Sequence, residues 1–529
     1  MLAAQDLPND VEALKALVLS RQQEICAKET VISAKQDQIQ TLEKLVADFK
    51  RALFGARSEK VNPGQYQLAL EDIEAAIEAS HATVEETEKQ AGSESNQKRK
   101  RQTNRGQLPK HLERIEEIIE PDTKICHCGC ERHVIGEDTS ERLNIVPAKF
   151  QVIVTRRPKY ACRACEDGIE QSPAPASLVP SGLPTEATLA HILVSKYADH
   201  LPLYRQAQIF ARQGIHLDRS TLASWVGRAG VALEPVYQAL LADLKSSTKL
   251  FMDETVAPVL DPGKGKTRQG YFWALARDDR PWLGEDPPAV IYSFAPGRSG
   301  SHAKKILENY APVGKRATIL QVDGYAGYNQ LLRTTNDGPA QDISLAYCWA
   351  HARRKLFEVS KAKITPLADQ GLKLIAQLYG VEKNLRGQTA DQRLAGRAEQ
   401  SKPLIETLRT WLDQTLAKVS AKSPLGEACK YIAKFWDGLC LFLTDGRIEL
   451  DNNAVERSIR PIALNRKNTL FAGHNKGAEN WATIASLIET CKLNDINPFA
   501  YLNKVLRTLV LTQNPNYTDL LPWNIQLTD

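Results

Sequence analysis

The sequence predicts a multidomain α+β protein: a coiled coil, a cysteine-bearing domain and a helical region, followed by a mixed α/β core with a helical insertion. Three observations predict it. Apolar residues recur every seven positions near the N-terminus, five of the ten cysteines fall within Cys126–Cys165, and after Thr248 helical spacing gives way to short runs of strand type. A chain of 529 residues has room for three or four domains. Its apolar share of 43% and charged share of 25% are ordinary for a globular protein. The net charge of +5 says little by itself, because contact with polyanions depends on local clusters. No run reaches the roughly 18 apolar residues of a membrane helix, and Met1–Asp10 lacks a signal-peptide pattern. A cytoplasmic protein without a membrane partner is expected.

The coiled coil is expected over residues 1–60. Val11, Val18, Ile25, Ile32, Ile39 and Val46 stand seven apart, and all are β-branched, which at the first core position favours two-stranded parallel coils. Three residues further on, Arg21, Lys28 and Lys35 make the middle of the seam cationic. A solvated amphipathic helix packed on its own domain is the plainer alternative. Residues 61–115 read as a helix, roughly Gln65 to Gln90, and a polar linker carrying Lys98-Arg99-Lys100-Arg101 and Arg105. The linker serves either solubility or non-specific contact with phosphates.

A zinc-binding domain is expected over residues 116–170. Cys126, Cys128 and Cys130 are followed, after 31 residues, by Cys162 and Cys165. Between them Glu141–Ile145 and Phe150–Thr155 alternate as strands do. Four thiolates presented by two hairpins satisfy one structural Zn²⁺ in a zinc ribbon, and a reducing compartment favours this over disulfides. Cys162-x-x-Cys165 is the firm half. One of the first three cysteines is surplus, and His127 and His133 compete with them.

Residues 171–245 read as helical. Leu203–Arg212, Gly214 and a second helix over Arg219–Arg228, with Asp218 or Ser220 as N-cap, fit a helix-turn-helix that reads DNA. They fit ordinary helix packing equally well.

The core is expected over residues 246–495. Leu250–Val256, Gly270–Ala276, Ala289–Phe294, Ile319–Val322 and Ile343–Cys348 are strand-like, and Ser301–Tyr310 is helical. Three strands, a helix, a strand, a helix and a strand is the order of an RNase H-like core. Asp253 lies in the first strand and Asp323 ends the fourth. A charge among apolar strand residues is costly unless it is paired or ligates a cation, and two such acids on adjacent strands point into one cleft. A third ligand follows later. Asp451 or Asn452 caps a helix bearing Glu456, with Arg460 one turn on to neutralise it. Spacing alone does not select Glu456 over Glu449 or Glu479. The 133 residues from Asp323 to Glu456 call for an inserted helical domain at about 364–438, and residues 496–529 are read as a C-terminal tail.

At this point the chain resembles the transposases of the insertion-sequence sixty-six family. The resemblance runs from Ala52-Leu-Phe-Gly-Ala-Arg-Ser-Glu-Lys60 to Leu521-Pro-Trp523. Its most specific stretches are Met252-Asp-Glu-Thr255, Gln321-Val-Asp-Gly-Tyr-Ala-Gly-Tyr328, Cys348-Trp-Ala-His-Ala-Arg-Arg354, Gly446–Arg457 and Ala485–Cys491, while Arg157–Cys162 matches the zinc-finger region. Cys126-His-Cys-Gly-Cys130 departs from the commoner C-x-x-C knuckle. The resemblance implies a DDE-type transposase of the bacterial cytoplasm, with Asp253, Asp323 and Glu456 as its acidic triad. Such a triad holds two Mg²⁺ ions about 3.5–4 Å apart around one phosphodiester. The enzyme then cuts at the element's ends and joins the freed 3′-hydroxyl to target DNA. Its partners are terminal inverted repeats, target DNA, further copies of itself and small accessory proteins of the same element. The rival readings are an RNase H-like nuclease that cuts without joining, and a zinc-containing DNA-binding regulator whose acids are structural.

Three further motifs have plain readings. Gly263-Lys-Gly-Lys-Thr267 lacks the first glycine of a nucleotide loop, which is Leu260 here, and reads as a basic hairpin turn. Cys348-x-x-His351 offers only two metal ligands and is read as structural. Arg460, Arg466 and Lys467 either line a DNA path or form a solvated face.

Overall fold

The computed structural model describes residues 10–22, 26, 149–161, 169–179, 182–261, 266–310, 312, 318–332, 343–362, 365–469 and 472–527. Ile25 and the later heptads, the Gln65–Gln90 helix, the basic linker, the five clustered cysteines, the Glu141–Ile145 strand and residues 262–265 of the basic hairpin turn lie outside them. The chain divides into two compact units, residues 1–158 and 159–529. In the first, residues 11–22 are helical, with Val11 and Val18 exposed. Phe150–Thr155, expected as a strand, has no regular secondary structure, and Val152, Ile153 and Val154 are exposed.

The second unit begins with a two-stranded antiparallel hairpin, β1 (Lys159–Ala161) and β2 (Ile169–Gln171). Three helices follow: α1 (Glu186–Tyr197), α2 (Leu203–Ala211) and α3 (Arg219–Lys245). Gly214 turns the chain between α2 and α3 at φ 78°, a conformation glycine adopts without a Cβ penalty. Asp218 stands at the N-cap of α3, but its side chain makes no capping bond. Helix α3 runs well past its predicted end at Arg228. Pro235 costs it a backbone hydrogen bond, yet Val236, Tyr237, Leu240 and Leu244 beyond it are buried, and that burial carries the helix on to Lys245.

A five-stranded mixed sheet forms next. Its strands are β3 (Lys249–Asp261), β4 (Lys266–Arg277), β5 (Ala289–Ala295), β6 (Thr318–Val322) and β7 (Ile343–Tyr347), with α4 (Gly300–Ile306) between β5 and β6. The spatial order is β5-β4-β3-β6-β7. The first three pair antiparallel, and β6 and β7 add in parallel to β3. Between β6 and β7 the described residues hold a 3-10 helix, Ala326–Leu332. Leu250, Phe251 and Met252 are fully buried, as are Phe272, Trp273 and Ala274 opposite. Strands β3 and β4 outrun the predicted Val256 boundary as a long hairpin, secured where the Leu260 N–H donates to the Ala472 carbonyl at 2.8 Å.

Beyond β7 the chain is helical: α5 (Trp349–Ala362), α6 (Pro366–Leu385), α7 (Ala390–Gly396), α8 (Lys402–Lys418), α9 (Pro424–Lys434), α10 (Trp436–Cys440), α11 (Asn453–Thr469), α12 (Asn475–Leu493) and α13 (Pro498–Leu511). Trp349, Leu356, Ile375, Leu408, Trp411 and Ile432 form one apolar cluster that also takes in Ile319 and Ala346 of the sheet. Helix α12 covers the β5 edge. Ser486 Oγ accepts the Tyr292 N–H at 2.8 Å, and Thr490 Oγ1 both accepts from and donates to Val290. An edge strand left bare is a template for unwanted pairing, and these hydroxyls occupy it. Among the described residues no helix is long and apolar enough to cross a membrane.

Two arginines are wholly buried where α7 meets the segment before α11. Arg397 forks the Glu382 carboxylate at 2.6 and 2.7 Å and donates to the carbonyls of Phe442, Asp445 and Ile448. Arg393 reaches Glu382 at 3.1 Å and Glu449 at 2.8 Å. Removing one partner of such a pair costs about 3–5 kcal/mol, because a buried charge is left uncompensated. The network therefore fixes residues 442–449 firmly against α6 and the end of α7.

Candidate active site

Asp253 and Asp323 are brought together by the β3–β6 ladder. Phe251 pairs with Gln321 in parallel register, so each acid stands two residues beyond a paired position, on the same face of neighbouring strands. Their carboxylates are close enough for the charge of Asp323 to act on Asp253, and Glu456 acts on it too. Burial, then Asp323, Glu254 and Glu456, push the Asp253 carboxyl up to about 8, against which only a hydrogen bond from the Glu254 N–H counts. Asp323 Oδ1 accepts the Tyr325 N–H at 2.9 Å, which holds the loop leaving β6. Gly324 faces Tyr431 of α9 and Phe435 just after it so closely that a Cβ there would strike the Tyr431 hydroxyl.

Glu456 lies in the first turn of α11. Two side chains set where that helix starts. Gln321 clamps the approach: its Nε2 donates to the Glu449 carbonyl at 2.9 Å, and its Oε1 accepts the Glu449 N–H at 2.9 Å. Asn452, 1% exposed, donates through Nδ2 to the carbonyl of Met252 at 3.2 Å, one residue before Asp253. Its own carbonyl accepts the Glu456 N–H, and Asp451 Oδ1 accepts the Asn453 N–H at 3.1 Å, so of the two expected caps only Asp451 bonds a helix amide through its side chain, while Asn452 Oδ1 is buried without a hydrogen-bond partner. Two of the three carboxylates that spacing left open are engaged elsewhere. Glu449 pairs with Arg393, and Glu479 is exposed and pairs with Lys476 at 3.1 Å.

The expected partnership of Arg460 with Glu456 is not formed. Arg460 is exposed, and among the described residues the side chain facing Glu456 is His351, whose Nδ1 lies 3.9 Å from Glu456 Oε1. Helical spacing put Arg460 within reach, but a residue on another element took the place. Arg466 also departs from expectation: its guanidinium donates to the Val256 carbonyl and ties α11 to β3. Lys467, Arg457, Arg353, Arg354 and Lys355 are exposed.

Sequence reasoning missed a second group beside Asp253. The Glu254 side chain is only 1% exposed, and it accepts from Arg298 at 2.7 Å and from the Tyr328 hydroxyl at 2.7 Å. Arg298 stacks on Tyr325, 4.1 Å from its ring centre, and the Tyr325 hydroxyl donates to the Arg298 carbonyl. This joins β3, the end of β5 and the loop after β6 around the acids. Burial still holds the Glu254 carboxyl above its ordinary range. The signal was present in Met252-Asp-Glu-Thr255, where a second acid stands among strand residues. Gln321, a buried amide in an otherwise apolar strand, was a signal of the same kind.

The residues fit a divalent cation. Asp253, Asp323 and Glu456 are hard oxygen donors, every side chain named above as acting on Asp253 is anionic, and Glu456 Oε1 is buried without a partner.

Comparison with known proteins agrees with this architecture. The family model described as Transposase IS66 family matches residues 181–480, and the IS66 C-terminal element matches 486–523. Ahead of them, the zinc-finger binding domain of transposase IS66 matches residues 123–166, and a model described as Transposase C of IS166 homeodomain matches 41–116. The chain belongs to the IS66 transposase family. The zinc-finger match supports a structural zinc in its segment. Two uncharacterized proteins of Sinorhizobium fredii are similar along their length: y4qI, 40% identical over 99% of both chains, and y4jD, 42% identical over 99% of this chain and 98% of its own. A third, y4hP, is 37% identical over 92% of this chain and 88% of its own.

The crowding of acids has a consequence for stability. The Asp253 carboxyl, ordinarily near 3.8, sits at about 8 when folded. The unfolded chain ionises it first, so folding is penalised increasingly as pH rises from about 4 to about 8. Without added divalent ions, Asp253→Asn is expected to melt above the wild type at pH 8, with the margin shrinking towards pH 5 and Mg²⁺ stabilising only the wild type. A margin independent of pH in thermal melts would contradict this.

Proposed function

We propose that this chain is a DDE-type transposase whose sheet is an RNase H-like core and whose Asp253, Asp323 and Glu456 ligate two Mg²⁺ ions. One observation carries the proposal: the charges of Asp323, just past β6, and Glu456, on α11, both act on Asp253 of the neighbouring parallel strand β3, in a chain of a transposase family. The strand order β5-β4-β3-β6-β7, three antiparallel strands followed by two parallel ones, supports the RNase H-like reading. When bound, divalent ions polarise the scissile phosphate and promote attack by an oxygen nucleophile.

The chain's own residues hold and shield this chemistry. Asp253 and Asp323 are fixed by the ladder, and Glu456 by Gln321 and Asn452. Water attacks phosphorus at the element's end and breaks the bond to the 3′ oxygen, which leaves as a hydroxyl. That hydroxyl attacks a target phosphodiester, breaking one phosphorus–oxygen bond as it forms another, so no external energy source is needed. Exposed Arg353, Arg354 and Lys355 on α5, and Arg457 and Arg460 on α11, share their helices with His351 and Glu456 and suit the phosphate backbone of terminal-repeat and target DNA. The helices α2 and α3 are a candidate reading pair for the repeat sequence.

Two auxiliary parts complete the proposal. Residues 1–60 form a coiled coil that assembles copies of the chain, a reading supported by the exposed Val11 and Val18 at heptad positions. Structural Zn²⁺ is held by Cys162, Cys165 and two of Cys126, Cys128 and Cys130. Small accessory proteins of the element are further candidate partners.

Asp253→Asn, Asp323→Asn and Glu456→Gln are each expected to abolish Mg²⁺-dependent cleavage and strand transfer while leaving DNA binding intact. Any pair is little worse, because residues that act as a unit fail singly. Glu479→Gln, an exposed change on α12, keeps activity. Wild-type cutting by all three variants on terminal-repeat DNA would refute the site. Cutting without joining in the wild type would favour a nuclease instead.

Purified protein is expected to carry about one zinc per chain, in line with a four-cysteine site. Cys162→Ser with Cys165→Ser loses it, as elemental analysis would show, and zinc-free wild type would rule the site out.

Changing Ile25 and Ile32 to Asp places charges in the proposed seam. Light scattering should then report a smaller assembly than the wild type, and an unchanged mass would reject self-association through this segment.

A further inference from the structure

Among the described residues, one group of three metal-competent side chains brings its ligand atoms within 4.8 Å of one another, and it shares Glu456 with the proposed acidic triad. Cys348 follows β7, His351 lies in the first turn of α5, and Glu456 lies in the first turn of α11. The group exists because two helices begin at the same end of the sheet. The Trp349 N–H donates to the Leu450 carbonyl at 2.8 Å, and the Asn452 N–H donates to Cys348 Sγ at 3.3 Å, so the starts of α5 and α11 are stitched together.

Within it, His351 Nδ1 and Glu456 Oε1 face each other at 3.9 Å. That is too long for a hydrogen bond. Both atoms are nonetheless buried, and neither has a partner. Leaving a buried polar atom unsatisfied costs about 1–3 kcal/mol, so two such atoms turned towards one gap mark a place for something that bonds to both. A metal ion binds imidazole nitrogen and carboxylate oxygen at about 2.0–2.2 Å each. With the two bonds in line, one ion spans roughly 4.0–4.4 Å between such ligands, and less when they are bent, so the 3.9 Å separation admits one ion with its two bonds bent. Cys348 Sγ already accepts the Asn452 N–H and backs the gap without being needed in it.

We infer that His351, through Nδ1, is a fourth protein ligand of the catalytic ion held by Glu456. The inference rests on the acidic-triad reading above and extends it. The ion on the Glu456 side then sees mixed nitrogen and oxygen ligands, whereas carboxylates alone suit Mg²⁺ and imidazole shifts preference towards transition metals. The structure thereby assigns the site a discrimination among divalent ions: Mn²⁺ binds it more tightly than Mg²⁺, and His351 is the residue responsible.

Mn²⁺ itself is the probe, added to the full-length protein. Pulsed electron paramagnetic resonance of bound Mn²⁺ should show the modulation of a directly coordinated ¹⁴N nucleus. In His351→Gln that modulation disappears, the Kd for Mn²⁺ rises by at least about tenfold, and the Kd for Mg²⁺ changes far less. A residue that merely positions Glu456 would weaken both ions alike and show no nitrogen coupling in the wild type, and that result overturns the inference. Coupling that persists in His351→Gln overturns it equally. Asp253→Asn and Asp323→Asn separate this from the triad. If Mn²⁺ binding depends on the carboxylates but carries no nitrogen signal, the triad stands and His351 is no ligand. If the nitrogen signal survives unchanged in both variants, the ion lies outside the triad and the catalytic reading of those acids falls with it.

Discussion

Asp253 stands in a buried strand where the charges of Asp323, Glu254 and Glu456 all oppose its own, and much of the structure around it answers that repulsion. Burial opposes its ionisation as well. A group of this kind persists only when covalent and hydrogen-bonded ties over-determine it. The first tie is the parallel ladder of β3 and β6, which fixes Asp253 and Asp323 on one face. The second is the start of α11, which Gln321 and Asn452 bridge to the strands.

These ties reach further than the site. Gln321 grips the backbone of Glu449, whose side chain is held by Arg393, and Arg393 shares Glu382 with Arg397. A continuous polar chain thus runs from β6 through residues 442–449 into α6 and the end of α7. The helices after α5 bring Tyr431 and Phe435 against the loop at Gly324 and supply the buried arginines that anchor the approach to Glu456. Their apolar cluster and their polar network serve the same end, since both fix where α11 begins. On the other flank, α12 caps β5 with Ser486 and Thr490, which keeps the antiparallel half of the sheet from fraying.

How much of this could be read from the sequence differs by residue, for physical reasons. Strand alternation and the apolar runs around Asp253 and Asp323 placed both acids at matching positions on their strands, because the period of a strand is local and strict. Glu456 was a different matter. Its distance from the strands depends on the helices between Pro366 and Cys440, and no local pattern encodes where they return the chain. Arg460 shows the same limit from another side: helix spacing states which residues share a face, not which residue of another element reaches it first. His351 read as structural because Cys348 alone accompanied it in sequence, and its third companion comes 105 positions later. Helix α3 outran its predicted end because tertiary burial beyond Pro235 outweighed a local breaker.

The central claim is that the fold gathers Asp253, Asp323 and Glu456 to hold divalent ions. The most direct measurement is anomalous X-ray scattering from crystals of the protein grown with Mn²⁺. The account predicts two anomalous peaks, one between the carboxylates of Asp253 and Asp323 and one beside Glu456, separated by about 3.5–4 Å. A map with Mn²⁺ ordered elsewhere and no density between these three side chains would contradict it.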